Sequence, residues 1–123
     1  MSTGNELWLL SDPAPTATIK ESQPMDKIRI GLYAANGHQI HRALVDHPTG
    51  VCVAVAAFER DRLPEPLQAN PAIRVYDTLD ALLADDRVEL VSLCSPRRRG
   101  QAQEAIRCMQ AGKHVHAEKP AAM

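Results

Sequence analysis

Apolar positions alternate between two rhythms along this chain. Ile28, Ile30, Leu32 and Tyr33 form an apolar segment that ends at Ala34, Asn36 and Gly37, as a strand entering a turn would. Over residues 37–47, Ile40, Ala43 and Leu44 share one helical face and Pro48 closes the pattern, which predicts a helix. Val51 to Ala57 is a continuous valine-rich run, expected of a strand covered on both sides. Pro64 and Pro66 then interrupt any long helix across residues 60–70. Ile73–Tyr76 reads as a short strand, followed by Asp77 as a cap and a helix burying Leu79, Leu82 and Leu83. Val88–Cys94 is a further strand. A helix over 99–111 places Ala102, Ala105, Ile106 and Met109 on one face, stops at Gly112, and leads into a last strand, Lys113–Ala117.

Short strands separated by helical segments predict an α/β domain with a doubly wound, mostly parallel sheet and right-handed crossovers. Residues 1–25 do not share the rhythm: they carry Ser, Thr, Pro13, Pro15 and Pro24 without periodicity, and read as a flexible leader. The domain proper is expected over residues 26–123.

Composition narrows the class. With 123 residues the chain holds one ordinary domain, and 45% hydrophobic with 24% charged residues is a globular balance. Aromatic residues are only 3%, so the core must be aliphatic. A formal net charge of −1 gives no reason to expect nucleic acid or an anionic membrane as partner. No run approaches the ~20 apolar residues of a membrane span. Cys52, Cys94 and Cys108 lack a CxxC spacing and sit in apolar stretches, which suits reduced core thiols of a cytoplasmic protein.

In an open parallel sheet, ligands bind outside the carboxyl ends of the strands, so each following turn is a candidate site. The first turn contains Ala34, Asn36, Gly37 and His38, candidate contacts for a dinucleotide diphosphate. A G-x-G-x-x-G pattern would fall on Ala34, Asn36 and Gln39, none of them glycine. Ala34 is a mild change, Asn36 tolerates a left-handed backbone, and Gln39 adds bulk where helix and strand pack closely. A plain strand-to-helix turn fits the same residues.

The second strand tip carries Ala57 where an acid would read the ribose of NAD. Phe58, Glu59 and Arg60 follow, and the nearby arginine leans toward the 2′-phosphate of NADP. Solvated loop charges fit Glu59 and Arg60 equally. Ser95 and Pro96 end the fourth strand, ahead of Arg97–Arg99, read as an exposed basic turn or as an electrostatic aid to a phosphate. Glu118, Lys119 and Pro120 end the fifth strand, where an ammonium could polarise a carbonyl during hydride transfer or simply join a surface ion pair. His114 and His116 face one side of that strand without a third ligand, so no metal is assigned.

The chain resembles the Gfo/Idh/MocA oxidoreductases. The likeness lies in Ile28-Arg29-Ile30-Gly31-Leu32, Val75-Tyr76-Asp77 with Leu82-Leu83, Val88-Glu89-Leu90-Val91 leading to Ser95-Pro96, and above all Ala111-Gly112-Lys113-His114-Val115 before Glu118-Lys119-Pro120. The resemblance implies a Rossmann-like domain that binds NAD or NADP. It further implies hydride transfer to or from sugars, polyols or related compounds, completed by a second domain that is expected to be absent from this chain. It casts Lys119 as the catalytic lysine contacting substrate and nicotinamide, and Glu118 as a cofactor contact. The family's Asn and His after the fourth-strand proline are Arg97 and Gly100 here. A non-catalytic Rossmann protein with a regulatory or assembly role is the alternative that the altered turn favours. A phospho-receiver domain would need paired acids after the first strand. The surface left open by a missing domain is expected to favour self-association.

Overall fold

The computed structural model describes residues 26–119. The proposed leader, residues 1–25, and Pro120 lie outside them. Five strands form one sheet in the order β3-β2-β1-β4-β5. They are β1 (Ile28–Tyr33), β2 (Gly50–Ala56), β3 (Arg74–Tyr76), β4 (Leu90–Leu93) and β5 (His114–Ala117). All four pairings are parallel. The order reverses between β1 and β4, which is the switch point of a doubly wound Rossmann-like sheet.

Register aligns the carboxyl ends. Tyr33 pairs with Ala56 and with Leu93, Ala56 with Tyr76, and Leu93 with Ala117, so one row of last residues crosses the whole sheet. Whatever follows each strand therefore emerges at a common edge.

Alternation along the central strands supplies two cores. Ile30, Leu32, Cys52, Val55 and Phe58 face one layer with Leu44, Leu63, Leu67 and Ile73. Ala54, Ala56, Val91 and Leu93 face the other with Leu79, Leu82, Val88 and Cys108. Each fully buried leucine here contributes about 2 kcal/mol from desolvation alone. The second layer is formed by α2 (Leu79–Leu83) and α3 (Gln101–Gln110). A side chain at Gly31 would meet Leu82 Cδ1 at 3.1 Å, so a glycine lets β1 lie close under α2.

The helical elements of the first layer are shorter than expected. Residues 37–47 hold only a 3₁₀ turn, His41–Leu44, in place of the predicted helix. Gln39 is the physical reason: its side-chain Oε1 accepts the Ile40 amide at 2.9 Å, and its Nε2 donates to the Ala34 carbonyl at 2.9 Å. The backbone is thus offered partners that compete with a helix. Pro64 and Pro66 limit the next segment to a 3₁₀ turn, Arg60–Arg62, and the single turn α1 (Glu65–Gln68).

Two further expectations are corrected. Thr78, not Asp77, caps α2, its Oγ1 accepting the Ala81 amide at 3.1 Å. The inward face of α3 is Gln101, Ala105 and Cys108 rather than Ala102, Ala105, Ile106 and Met109. Ile106 and Met109 are 44% and 57% exposed. Gln101 decides that rotation, because its amide is drawn inward by the strand tips. Gly112 ends the helix at φ +83°, as read from sequence.

Candidate functional site

Because β4 pairs with both β1 and β5, three turns meet at the switch point: residues 34–39, residues 94–98, and Glu118 with Lys119. Main-chain bonds seat them. The Ala34 amide donates to Ala56 O at 2.9 Å, the Asn36 amide to Cys94 O at 3.0 Å, and the Glu118 amide to Leu93 O at 2.9 Å.

Side chains then staple the turns together. Asn36 Nδ2 donates to the Ser95 and Pro96 carbonyls at 3.2 and 3.0 Å. Arg98 Nη2 donates to Asn36 O at 2.7 Å, so the middle of the basic turn is a strut. The fully buried Gln101 accepts the Ser95 amide at 3.0 Å and donates to the Glu118 carbonyl, joining the tips of β4 and β5. Gln101 is not legible as a site residue in the sequence, where a polar residue on the inward face of α3 is the available signal; Arg98, expected as a solvated charge or an aid to a phosphate, is instead a structural tie. Gln39 fills the space between β1 and β4, its Oε1 also accepting Ser92 Oγ at 2.7 Å.

Left-handed backbone falls on Ala34 (φ +60°) and Gly37 (φ +114°), not on Asn36. At Gly37 a Cβ would lie 2.6 Å from a carboxylate oxygen of Glu118 and 2.9 Å from Arg98 Nη2. Glycine alone leaves that space. The Glu118 Oε2 atom accepts the His38 amide and lies 3.1 Å from His38 Nδ1, while Oε1 accepts the Lys119 amide at 2.9 Å. The His38 amide, and next the Lys119 amide, hold the Glu118 carboxyl below the usual carboxylate range. Burial, with Glu118 nearby, pushes the Cys94 thiol up.

The second-strand residues divide. Phe58 is buried in the first core, with Arg62 lying 5.7 Å from its ring centroid and His41 edge-on to it. Glu59 stays exposed. Arg60 turns inward: its guanidinium donates to the carbonyls of Gln68 at 3.0 Å, Asn70 at 3.2 Å and Ile73. Those bonds close its own loop and direct its donors away from the ligand edge.

Two cavities flank the switch point. One, of about 270 Å³, is lined by Gly37, His38, Gln39, His41, Arg42 and Arg62, among others. Burial lowers the His41 pKa, and Arg42 and Arg62, whose guanidinium groups give the cavity wall its positive charge, lower it further. The other, of about 520 Å³, lies among Tyr33, Pro96, Arg97, Arg99, Gly100 and Glu104. Burial and then Glu104, whose Oε2 accepts the Tyr33 hydroxyl at 3.1 Å, raise the Tyr33 pKa. Ser95 Oγ is buried at the β4 tip with no hydrogen-bond partner among the described residues. A turn amide already holding an anionic oxygen, a glycine cradle and an orphan hydroxyl together fit a dinucleotide. No described helix is long and apolar enough to cross a membrane.

Comparison with known proteins identifies the family and the fold. Residues 28–123 match the model of the Gfo/Idh/MocA oxidoreductase family, NAD-binding Rossmann fold. No curated protein sequence matches the chain. Among solved structures, KijD10, a 3-ketoreductase from Actinomadura kijaniata in complex with TDP-benzene and NADP, is 28% identical with a TM-score of 0.64. That match covers 79% of this chain and 31% of KijD10, so the chain spans about a third of its relative's length. The yvaA protein of Bacillus subtilis is 24% identical, with a TM-score of 0.63, over 79% of this chain and 29% of its own. YPO2259 from Yersinia pestis is 23% identical, with a TM-score of 0.58, over 80% and 28%. These last two support the fold alone.

Proposed function

Because the chain belongs to the Gfo/Idh/MocA oxidoreductase family with its NAD-binding Rossmann fold, we propose that it is the cofactor half of an enzyme reducing or oxidising sugars, polyols or related compounds. The observation that carries this reading is the meeting of Lys119 and Glu118 with the 34–39 turn at the switch point of the sheet, the edge where such folds bind ligands. The nicotinamide, when bound, would supply or accept the hydride. Ala34, Asn36, Gly37 and His38 would seat the dinucleotide, with Ser95 and Pro96 beside it and Phe58 as a buried floor under the adenosine end. Lys119 is exposed at the same edge, where its ammonium would polarise a substrate carbonyl or hold its hydroxyl. Turnover would need a second domain to enclose the substrate.

NADP is favoured over NAD. No acid stands at Ala57, and Arg62 with Arg42 lines the electropositive cavity beside the turn. Arg62 therefore replaces Arg60 as the reader of a 2′-phosphate, since Arg60 closes its own loop. Guanidinium pairing with phosphate is charge-assisted and directional. Calorimetric titration should give an NADPH dissociation constant of about 100 µM or tighter. Arg62→Ala should weaken NADPH at least about fivefold while leaving NADH unchanged. Absence of binding by either dinucleotide would end this reading and leave the non-catalytic alternative, which the Gln39-filled turn favours. In a chain that carries a substrate domain, Lys119→Ala should cut turnover by about 100-fold with dinucleotide affinity retained; unchanged turnover would remove Lys119 from catalysis.

A further inference from the structure

We propose that the Glu118 carboxylate is an internal stand-in for the cofactor's diphosphate, which an entering dinucleotide must displace from the first turn. This rests on the dinucleotide-binding reading above, and deepens it by naming how that site is held before the cofactor arrives. One donor of the turn, the His38 amide, is already engaged by Glu118 Oε2, with His38 Nδ1 at 3.1 Å from the same oxygen. The side chain is only 13% exposed although it belongs to the last residues of the edge strand's turn. Its backbone is fixed at both ends of the residue, the amide on Leu93 O and the carbonyl on Gln101 Nε2, so the side chain reaches back over Gly37 by construction.

A diphosphate brought to the same amide would meet a carboxylate of like charge at hydrogen-bond range. One of the two anions must leave. Glu118 is the one that can, by rotating away while its backbone stays in place. Its other oxygen holds the Lys119 amide at 2.9 Å. Displacement therefore also frees the backbone of Lys119, and coupling between cofactor entry and the position of that lysine follows. In this arrangement Glu118 restrains the empty site; it is not a diphosphate ligand.

The test follows the His38 amide by ¹⁵N NMR while inorganic pyrophosphate is added to the wild-type chain, Glu118→Gln and Glu118→Ala, with NADPH titrated in parallel. Both variants should respond at pyrophosphate concentrations about fivefold lower than wild type, and bind NADPH tighter by a similar factor. The near-isosteric Gln variant guards against a packing defect in the Ala variant. Equal or weaker pyrophosphate responses in the variants would overturn the proposal, as would a His38 amide that pyrophosphate never moves. If pyrophosphate behaves as expected but NADPH binds none of the three proteins, the internal anion stands and the dinucleotide-binding reading falls. Tighter pyrophosphate with weaker NADPH would assign Glu118 to holding the cofactor and overturn displacement.

Discussion

Ala34 stands at φ +60° where β1 turns toward the ligand edge, a conformation in which its Cβ crowds the following carbonyl. Ala34→Gly should relieve that crowding and, after the extra freedom of the unfolded chain is subtracted, raise stability by about 0.5 kcal/mol. Urea unfolding measures it, and a loss of stability would show that the turn does not strain Ala34. The altered glycine pattern was legible in the sequence; the way each substitution is accommodated was not. Asn36 was read as a residue tolerant of left-handed backbone, yet it serves through its amide, bridging to the Ser95 and Pro96 carbonyls. Gln39 was read as bulk, and that bulk is present as an amide bonded to Ala34 and Ser92. Arg60 and Arg62 look alike in sequence. Which one closes its own loop depends on carbonyls up to Ile73, brought near only by folding.

Elements built on strand alternation were read well, and those built on helical periodicity less so. The central strands β1, β2 and β4 are largely buried runs paired on both sides, so their apolar pattern is dictated locally. The α3 helix shows the contrast: its apolar stripe suggested Ile106 and Met109 as inward residues, but bonds from Gln101 to Ser95 and Glu118 rotate them outward. A second polar tie closes the opposite end of the sheet. Asp85, 6% exposed, accepts from Arg87 Nε and Nη2 at 3.1 and 2.8 Å and from the Tyr76 hydroxyl at 2.8 Å. Arg87 also donates to Val53 O at 2.9 Å, and Lys113 Nζ to Asp85 O at 3.1 Å, so strands β2, β3 and the approaches to β4 and β5 are joined. The Arg87 hydrogen bonds hold the Asp85 carboxyl well below the usual carboxylate range, against the opposing effect of burial. Since the folded value is the lower one, the stabilisation is present above about pH 4 and is lost as pH falls through the depressed folded value. Asp85→Asn should cost about 2–4 kcal/mol at pH 7, with the gap to wild type narrowing below about pH 3. Urea melts at both pH values check this; a gap that does not change with pH would show that ionisation of Asp85 is not the source.

At the scale of the molecule, the edge strand β3 leaves Val75 47% exposed, and the outer face of α3 leaves Ile106 and Met109 44% and 57% exposed. Ile28 adds a further 47% exposed apolar side chain at the start of β1. Edge strands and apolar helix surface of this kind favour contact with another surface. We therefore expect concentration-dependent association of the chain, reduced by Met109→Lys, in sedimentation velocity. A single monomeric species across the accessible concentration range would rule it out.

The sequence by itself determined the parallel α/β architecture, the family, and the edge at which Glu118 and Lys119 emerge. Parallel strand polarity follows from the alternation of apolar runs with helical connections, and the final motif follows its strand directly. Only the tertiary structure decided what occupies that edge. Contacts that form only on folding set the roles there: Glu118 on His38, Gln101 between Ser95 and Glu118, and Arg62 over Phe58. Such pairings depend on register and on the direction of individual side chains, which periodicity along a chain does not encode.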